Sequence, residues 1–312
     1  MAKANTFAEK AVKFQPILDE IYQKESVTAI LEDNKAEFDG TKTVKYPKID
    51  MEGLGDYDRV NGYADGAINV EYESHVIEYD RGRKFRIDVL DDDESAFDLY
   101  REAQVQFTRT KEIPEMDAIR MSRLAGNAGK VVEEDLTANT ALEAYDEAEQ
   151  YMTDNEVTDN ERLMFVSGEY YRFLKQSGKI TRSLDVNKNN GVINRNVYEL
   201  DDGTPVIKVP QKRFYDVIEL LDGKSTDEAT GGYRPIDGTS KEINFIYMAK
   251  KAGKAITKRR APKVIEPGTN QSADAYDVAI RLHHDLIVKD NQKVAIYVSK
   301  KTKAINTETP SV

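Results

Sequence analysis

The sequence predicts an α+β fold in which a long extended arm leads into a long helix and then into a body of mixed strands and helices. Three observations support it. Residues alternate between apolar and polar after Ala67; a helix-spaced apolar stripe runs from Phe97 to Leu124 with one proline in it; and short apolar runs beyond that stripe alternate with Ala- and Glu-rich segments. Extended elements of this length cannot bury their own faces, so the arm implies partners.

The arm begins with Val44, Tyr46 and Ile49 in an extended stretch interrupted by Pro47. The glycine-punctuated run from Met51 to Tyr57 follows and reads as a loop tip. Ile68, Val70 and Tyr72 then alternate with Asn69, Glu71 and Glu73, which is the period of a strand. Phe85, Ile87 and Val89 alternate with Arg86 and Asp88 in the same way. With Asp80-Arg81-Gly82 as the turn, these two runs are expected to pair as a hairpin of roughly 40 Å, at about 3.3 Å per residue. A lone two-stranded ribbon is marginal in water and must lie against something. Before the arm, Phe7, Val12, Phe14, Ile17, Leu18 and Ile21 form a segment broken by Pro16, too irregular for one amphipathic helix and too apolar for a free tail.

Asp91, Asp92, Asp93 and Glu94 place capping oxygens and negative charge where a helix start needs them. Phe97, Tyr100, Ala103 and Phe107 follow at helical spacing. Pro114 should kink or restart the helix, and Met116, Ile119 and Leu124 carry it to an end at Gly126-Asn127. Beyond it, 137–150 is a predicted helix and 162–166 a buried strand. Ser167 should cap a helix with Tyr170, Phe173 and Leu174 on one face, ending at Ser177-Gly178. Val197 to Leu200 and Val206 to Val209 read as a hairpin, and Asp222 to Ser240 as a surface loop.

Composition narrows the chemistry. The 312 residues hold 39% hydrophobic residues, enough for a core, and no cysteine, which excludes disulfides and thiolate metal sites. No apolar run approaches the length of a membrane span, and assembly in the cytoplasm is expected. The net charge of −11 argues against tight non-specific binding to nucleic acid. Gly223-Lys224-Ser225 ends like a phosphate-binding loop, but Ile218 stands where its first glycine belongs. Gly53 and Gly55 begin a dinucleotide pattern that fails at Asp58, and Asp185, Asn187 and Asn189 mimic a calcium loop that fails at Gly191 and Asn196. His283 and His284 are adjacent, so in a strand they face opposite ways and cannot grip one ion, and one of them should pack inside. Lys250, Lys251, Lys254, Lys258, Arg259, Arg260 and Lys263 form a basic cluster expected to pair with acidic neighbours or face solvent. No catalytic residue, cofactor or metal is expected.

Three stretches carry a family resemblance: Tyr46-Pro47-Lys48-Ile49-Asp50-Met51-Glu52-Gly53-Leu54-Gly55-Asp56-Tyr57, Asp80-Arg81-Gly82-Arg83-Lys84-Phe85, and Thr110-Lys111-Glu112-Ile113-Pro114-Glu115-Met116-Asp117-Ala118. His283 to Val288 with Asn291 to Val298 adds what looks like a closing pair of strands. Together they resemble the major capsid (head) proteins of tailed bacteriophages, particularly those of phages infecting Gram-positive hosts. The resemblance implies a structural subunit that assembles through pentamers and hexamers into an icosahedral head enclosing the DNA genome. An encapsulin-type shell of a bacterial cargo compartment is the alternative. It also implies an N-terminal arm over 1–42, an extended loop with its returning strands over 43–90, and a peripheral domain with a spine helix over 91–135. An axial domain over 136–267 and C-terminal strands over 268–312 that return to the peripheral domain complete the plan. Little chain precedes the spine, so the resemblance implies a separate scaffolding protein or a cleaved precursor whose product this is, and Met1 favours the first; a portal, a decoration protein as a further partner, and DNA held without sequence-specific contact are also expected. Contacts between subunits are expected at Phe7, Phe14, Ile17, Leu54, Tyr57, Arg59, Tyr63 and Tyr72.

Overall fold

Along the chain the strands are β1 (Phe38–Asp39), β2 (Thr43–Met51), β3 (Ile68–Val76), β4 (Tyr79–Asp88), β5 (Lys130–Glu133), β6 (Arg162–Ser167), β7 (Val197–Glu199), β8 (Pro205–Val209), β9 (Ile218–Leu221), β10 (Gly232–Pro235), β11 (Lys241–Ala249), β12 (Gly253–Arg259), β13 (Lys263–Ile265), β14 (Ala275–Val288) and β15 (Ile296–Ala304). The helices are α1 (Ile113–Gly126), α2 (Ala141–Asp154) and α3 (Gly168–Gln176). Residues 101–107 are helical and run through a π-helical turn, Thr108–Glu112, into α1. The computed structural model describes residues 17–18, 20–22, 25–33, 38–39, 42–60, 62–63, 65–88, 101–176, 197–199, 204–259, 263–272 and 275–306.

The short apolar run at 162–166 organises the body. All residues of β6 are buried, because the strand lies inside a six-stranded sheet of order β5-β15-β11-β6-β8-β7 that is covered on both faces. Leu163 and Phe165 point to a core shared with Met121 and Leu124 of α1. Met164 and Val166 point the other way, to a core closed by Tyr145, Ala148 and Met152 of α2 and Tyr170 and Leu174 of α3. The buried positions of α2 recur at helical spacing, and the Ser167 hydroxyl accepts the Tyr170 N–H at 3.1 Å, capping α3 as its sequence predicts. The strand β11 pairs with both β6 and β15, and β5 and β8 add in parallel.

A second sheet is built on the long β14, which carries β12 and β13 along one edge and β4 along the other. Its Leu286 and Val288 enter the same core as Phe165, Ile246 and Val298 of the first sheet, so Met121 and Leu124 of α1 are wedged where the two sheets meet. Pro114 stands just after the π-helical turn, where the helix changes hydrogen-bond register, and Asn127 closes the other end of α1 by donating to the Arg123 carbonyl at 2.9 Å. The consecutive strands β14 and β15 close different sheets.

The expected hairpin between 68–72 and 85–89 does not form. β3 pairs instead with β2, from Thr43 opposite Val76 to Met51 opposite Ile68, and β4 pairs with β14. Asp80-Arg81-Gly82 is therefore strand, not turn. The glycine is there for close approach: a Cβ on Gly82 would lie 2.6 Å from the Ile280 carbonyl of β14. Pro47 is tolerated inside β2 because β1 covers only Thr43 and Val44, leaving that edge open. The expected loop at 222–240 contains a strand, since β10 returns along β9, and the helix expected over 137–150 is shifted to Ala141–Asp154. The hairpin near 197–209 forms as β7 and β8. The acidic cap at 91–94, with Phe97 and Tyr100, lies outside the described residues, as do the Asn-rich turn at 185–196 and Ser177-Gly178.

Replacing Gly82 with alanine should push β4 off β14 and destabilise the fold by about 1–3 kcal/mol. Thermal unfolding of the variant checks it, and an unchanged midpoint would contradict the β4–β14 pairing.

Candidate assembly surface

The arm is anchored at its base and bare beyond it. Val44, Tyr46 and Ile77 pack with Ile256 of β12 and Ile287 of β14. The Tyr46 hydroxyl donates to Asp33 at 3.1 Å, and the ammonium groups of Lys254 and Lys289 sit 4.4 and 4.9 Å from the centre of its ring. Farther out the register of β2 on β3 sorts the side chains by chemistry. Pro47 faces Tyr72, Ile49 faces Val70 and Met51 faces Ile68, all on one side of the ribbon. The other side carries Lys48 opposite Glu71 and Asp50 opposite Asn69. The apolar side is uncovered: Ile49 is 57% exposed, Met51 66% and Ile68 70%. Scattered surface hydrophobics need no explanation, but a contiguous apolar face marks an interaction surface.

The ribbon ends in a preformed knob. Asp58 and Gly62 exchange backbone hydrogen bonds at 3.0 and 2.8 Å, the Asp58 carboxylate accepts the Val60 N–H, and Tyr57 and Tyr63 pack edge to face with ring centres 4.9 Å apart. Leu54, Tyr57, Arg59, Tyr63 and Tyr72, expected to contact other subunits, all stand exposed on the ribbon or this knob. Ile17 is half-exposed, and Phe7 and Phe14 lie outside the described residues.

Behind the arm, a buried polar network ties the N-terminal segment to α1. Asp117 is fully buried and accepts from the Ser26 hydroxyl at 2.6 Å, from the Thr28 hydroxyl at 2.7 Å and from Arg213 at 3.0 Å. Arg120, also fully buried, donates to the hydroxyls of Tyr22, Thr28 and Thr257 and to Glu32 at 2.8 Å. Burial pushes the Tyr22 phenol up to about 12. No local pattern announces this network, because its partners lie about ninety residues apart in the chain.

Ion pairs fasten β4 to β14. Arg281 holds the Asp80 carboxyl down to about 2 with help from His283, and Arg86 and Lys84 hold Asp277 well below the usual carboxylate range. His283 and His284 are both buried, not one, because β14 has strands on both edges and layers on both faces. His283 meets Asp80 at 2.7 Å; His284 stacks on Tyr79, and burial, with Arg120 and Arg81 nearby, pushes its pKa down to about 3. In the basic cluster Lys251 pairs with Glu161, Lys254 with Asp33, and Lys258 lies over the Phe38 ring. In Gly223-Lys224-Ser225 the Lys224 and Ser225 amides are taken by the Asp222 carboxylate at 2.7 and 2.9 Å, which places a negative group where a phosphate would have to sit. Among the described residues no cluster of His, Cys, Asp or Glu could hold a metal ion, and no helix is long and apolar enough to cross a membrane.

Solved structures similar to this chain include phage capsids. The capsid of Ralstonia phage GP4 superposes with a TM-score of 0.59 at 10% identity, covering 92% of this chain and 91% of that one. The mature capsid of bacteriophage PhiM1 gives 0.56 at 11% identity, over 87% and 84%. The chain has the fold of tailed-phage major capsid subunits. The capsid of cyanophage P-SCSP1u gives 0.52 at 10% identity over 86% of each chain. No protein-family model and no curated protein matches the sequence.

Replacing Asp117 with alanine should leave Arg213 and the Ser26 and Thr28 hydroxyls without their acceptor, cost about 3–5 kcal/mol, and loosen 25–33 from α1. Hydrogen exchange of those amides reads the loosening. A base with a depressed folded pKa stabilises the fold above its unfolded value near 6.5 and loses that contribution as pH falls toward 3. Stability should therefore drop by on the order of 2 kcal/mol between pH 6.5 and 4.5 on account of His284. His284→Phe should flatten that slope in denaturant titrations, and an unchanged slope would contradict it.

Proposed function

We propose that this chain is the major structural subunit of a phage head, assembling through pentamers and hexamers into an icosahedral shell that encloses the genome in the virion. The observation that carries the reading is the ribbon: its apolar face, Pro47, Ile49, Met51, Ile68, Val70 and Tyr72, has no cover from its own chain, on a fold shared with solved phage capsids. Covering such side chains against a neighbour contributes roughly 1–2 kcal/mol each, so association and burial are the same event and stability rises with subunit concentration.

The sheets support a division of labour. Divided by sheet, the peripheral domain is α1 with β4, β12, β13 and β14, and the axial domain is the six-stranded sheet with α2 and α3; this moves β12 and β13 out of the axial span 136–267 and brings β5 and β15 into it, so of the C-terminal strands only β14 joins the peripheral domain. The arm before residue 42 lies across adjacent subunits, with Leu18 and Tyr22 already buried against the body. A separate scaffolding protein, a portal and a decoration protein are the further partners, and assembly takes place in the host cytoplasm. A Gram-positive host rests on the sequence resemblance; the fold itself is shared with capsids of phages of Ralstonia and of cyanobacteria.

Ile49→Asp combined with Val70→Asp places charge on the apolar face at two exposed, directly opposed positions. The body should fold normally by circular dichroism while shells seen by electron microscopy of the wild type disappear. Shells at wild-type yield from the double variant would overturn the reading.

A further inference from the structure

A cavity of about 810 Å³ opens between the π-helical turn before α1, the strand β4 and the β9–β10 hairpin, a volume typical of small-molecule sites. Part of its wall is a preformed aromatic platform. Phe85 of β4 packs edge to face on Phe107 with ring centres 5.1 Å apart. Tyr233 of β10 joins them, held by the hydrogen bond that its hydroxyl donates to the Lys212 carbonyl at 3.0 Å.

The rest of the wall carries charge that the chain leaves unanswered. Of the cations lining the cavity, Arg81, Arg213 and Arg234 are neutralised by Glu115, Asp117 and Glu219 at 2.5, 3.0 and 2.7 Å. Lys111 and Lys212 are exposed with no carboxylate partner among the described residues, and Arg83 donates to the uncharged Ala229 carbonyl at 3.2 Å. The Arg83 guanidinium is also fixed in place: it lies 2.8 Å from where a Cβ on Gly223 would stand and 3.3 Å from one on Gly231, and both glycines have positive φ. Carboxylates in the wall are engaged elsewhere, because Glu112 accepts from the Thr108 hydroxyl at 2.9 Å and Asp222 from the Lys224 and Ser225 amides. Three unneutralised cations, from β4, the π-helical turn and the turn after β8, thus border one cavity in a chain of net charge −11.

These features select a ligand class. An aromatic platform stacks planar rings, and cations converging from separate segments suit a compact group that carries several negative charges at once. An acidic peptide, by contrast, spreads its side chains along the backbone at about 3.3 Å per residue and turns successive ones to opposite sides. We propose that the cavity binds a nucleotide, with its base against Phe85, Phe107 and Tyr233 and its phosphates against Arg83, Lys111 and Lys212. Stacking is indifferent to which base is presented, so purine and pyrimidine nucleotides both bind. The inference concerns the single subunit and goes beyond the assembly reading without resting on it.

Isothermal titration calorimetry of the unassembled full-length chain tests it, with ATP, inorganic triphosphate and adenosine as ligands at one salt concentration. ATP should bind at least about tenfold more tightly than either fragment, because linking the two halves makes the second contact intramolecular. Phe107→Leu, which keeps apolar bulk and removes the ring, should weaken ATP at least about fivefold and leave triphosphate unchanged. Lys111→Glu with Lys212→Glu should weaken both at least about tenfold. Lys250→Glu with Lys263→Glu makes the same charge change at exposed lysines away from the cavity, and should leave ATP within about twofold because salt screens distant charges. Circular dichroism checks that each variant folds. ATP bound no more tightly than triphosphate, or undiminished by the Lys111→Glu, Lys212→Glu pair, overturns the proposal. Absence of ATP binding overturns it too, and in favour of an acidic peptide where a peptide of alternating Glu and Phe binds instead and the same lysine pair abolishes that binding. Shell formation, read by electron microscopy, is a separate result that none of these outcomes alters.

Discussion

The register of β2 on β3 is the constraint on which the account depends. Because residues directly opposite in an antiparallel pair share a face, setting Met51 against Ile68 also sets Ile49 against Val70 and Pro47 against Tyr72. A slip of one residue would scatter these side chains over both faces. In the observed register they make one apolar surface, with charged and polar residues behind it, on a ribbon whose base alone is packed. Such a ribbon is a stable object only when something covers it.

The body is built to bear that ribbon. The clamp at Tyr46 and Ile77 rests on β12 and β14, β14 is held by β4 through Gly82 and two acidic residues gripped by arginines, and β14 shares a core with α1. Asp117 and Arg120 on α1 then bind the N-terminal segment that passes Asp33, the acceptor of the Tyr46 hydroxyl. The base of the arm and the long helix are thus joined through this segment by charge-assisted hydrogen bonds. These are costly to break singly, because each broken bond strands a buried partner.

What could be read from sequence was local. The buried run at 162–166, the Ser167 cap, the end of α1 at Asn127 and the exposed tip each depend on neighbours a few residues apart, and each is where the sequence places it. Strand pairing is not local. Two alternating runs flanking Asp80-Arg81-Gly82 look like a hairpin, and nothing nearby reveals that Gly82 is small in order to meet β14 some two hundred residues later. The same blindness hid Ile49, Met51, Ile68 and Val70 from the contact residues chosen by sequence, since their shared face exists only once β2 and β3 are paired. It also left His283 and His284 looking like an inside-outside pair, when both faces of β14 are buried from Leu282 to Val288.

Hydrogen exchange on free subunits and on purified shells tests the central claim most directly, read at peptides spanning 43–51 and 68–76. The account predicts that these strands exchange readily in the free subunit beyond the Tyr46 clamp and become strongly protected in shells, while 162–167 is protected in both. Equal exchange at 47–51 and 68–72 in the two states would show that the apolar face of the ribbon is not what holds neighbouring subunits together.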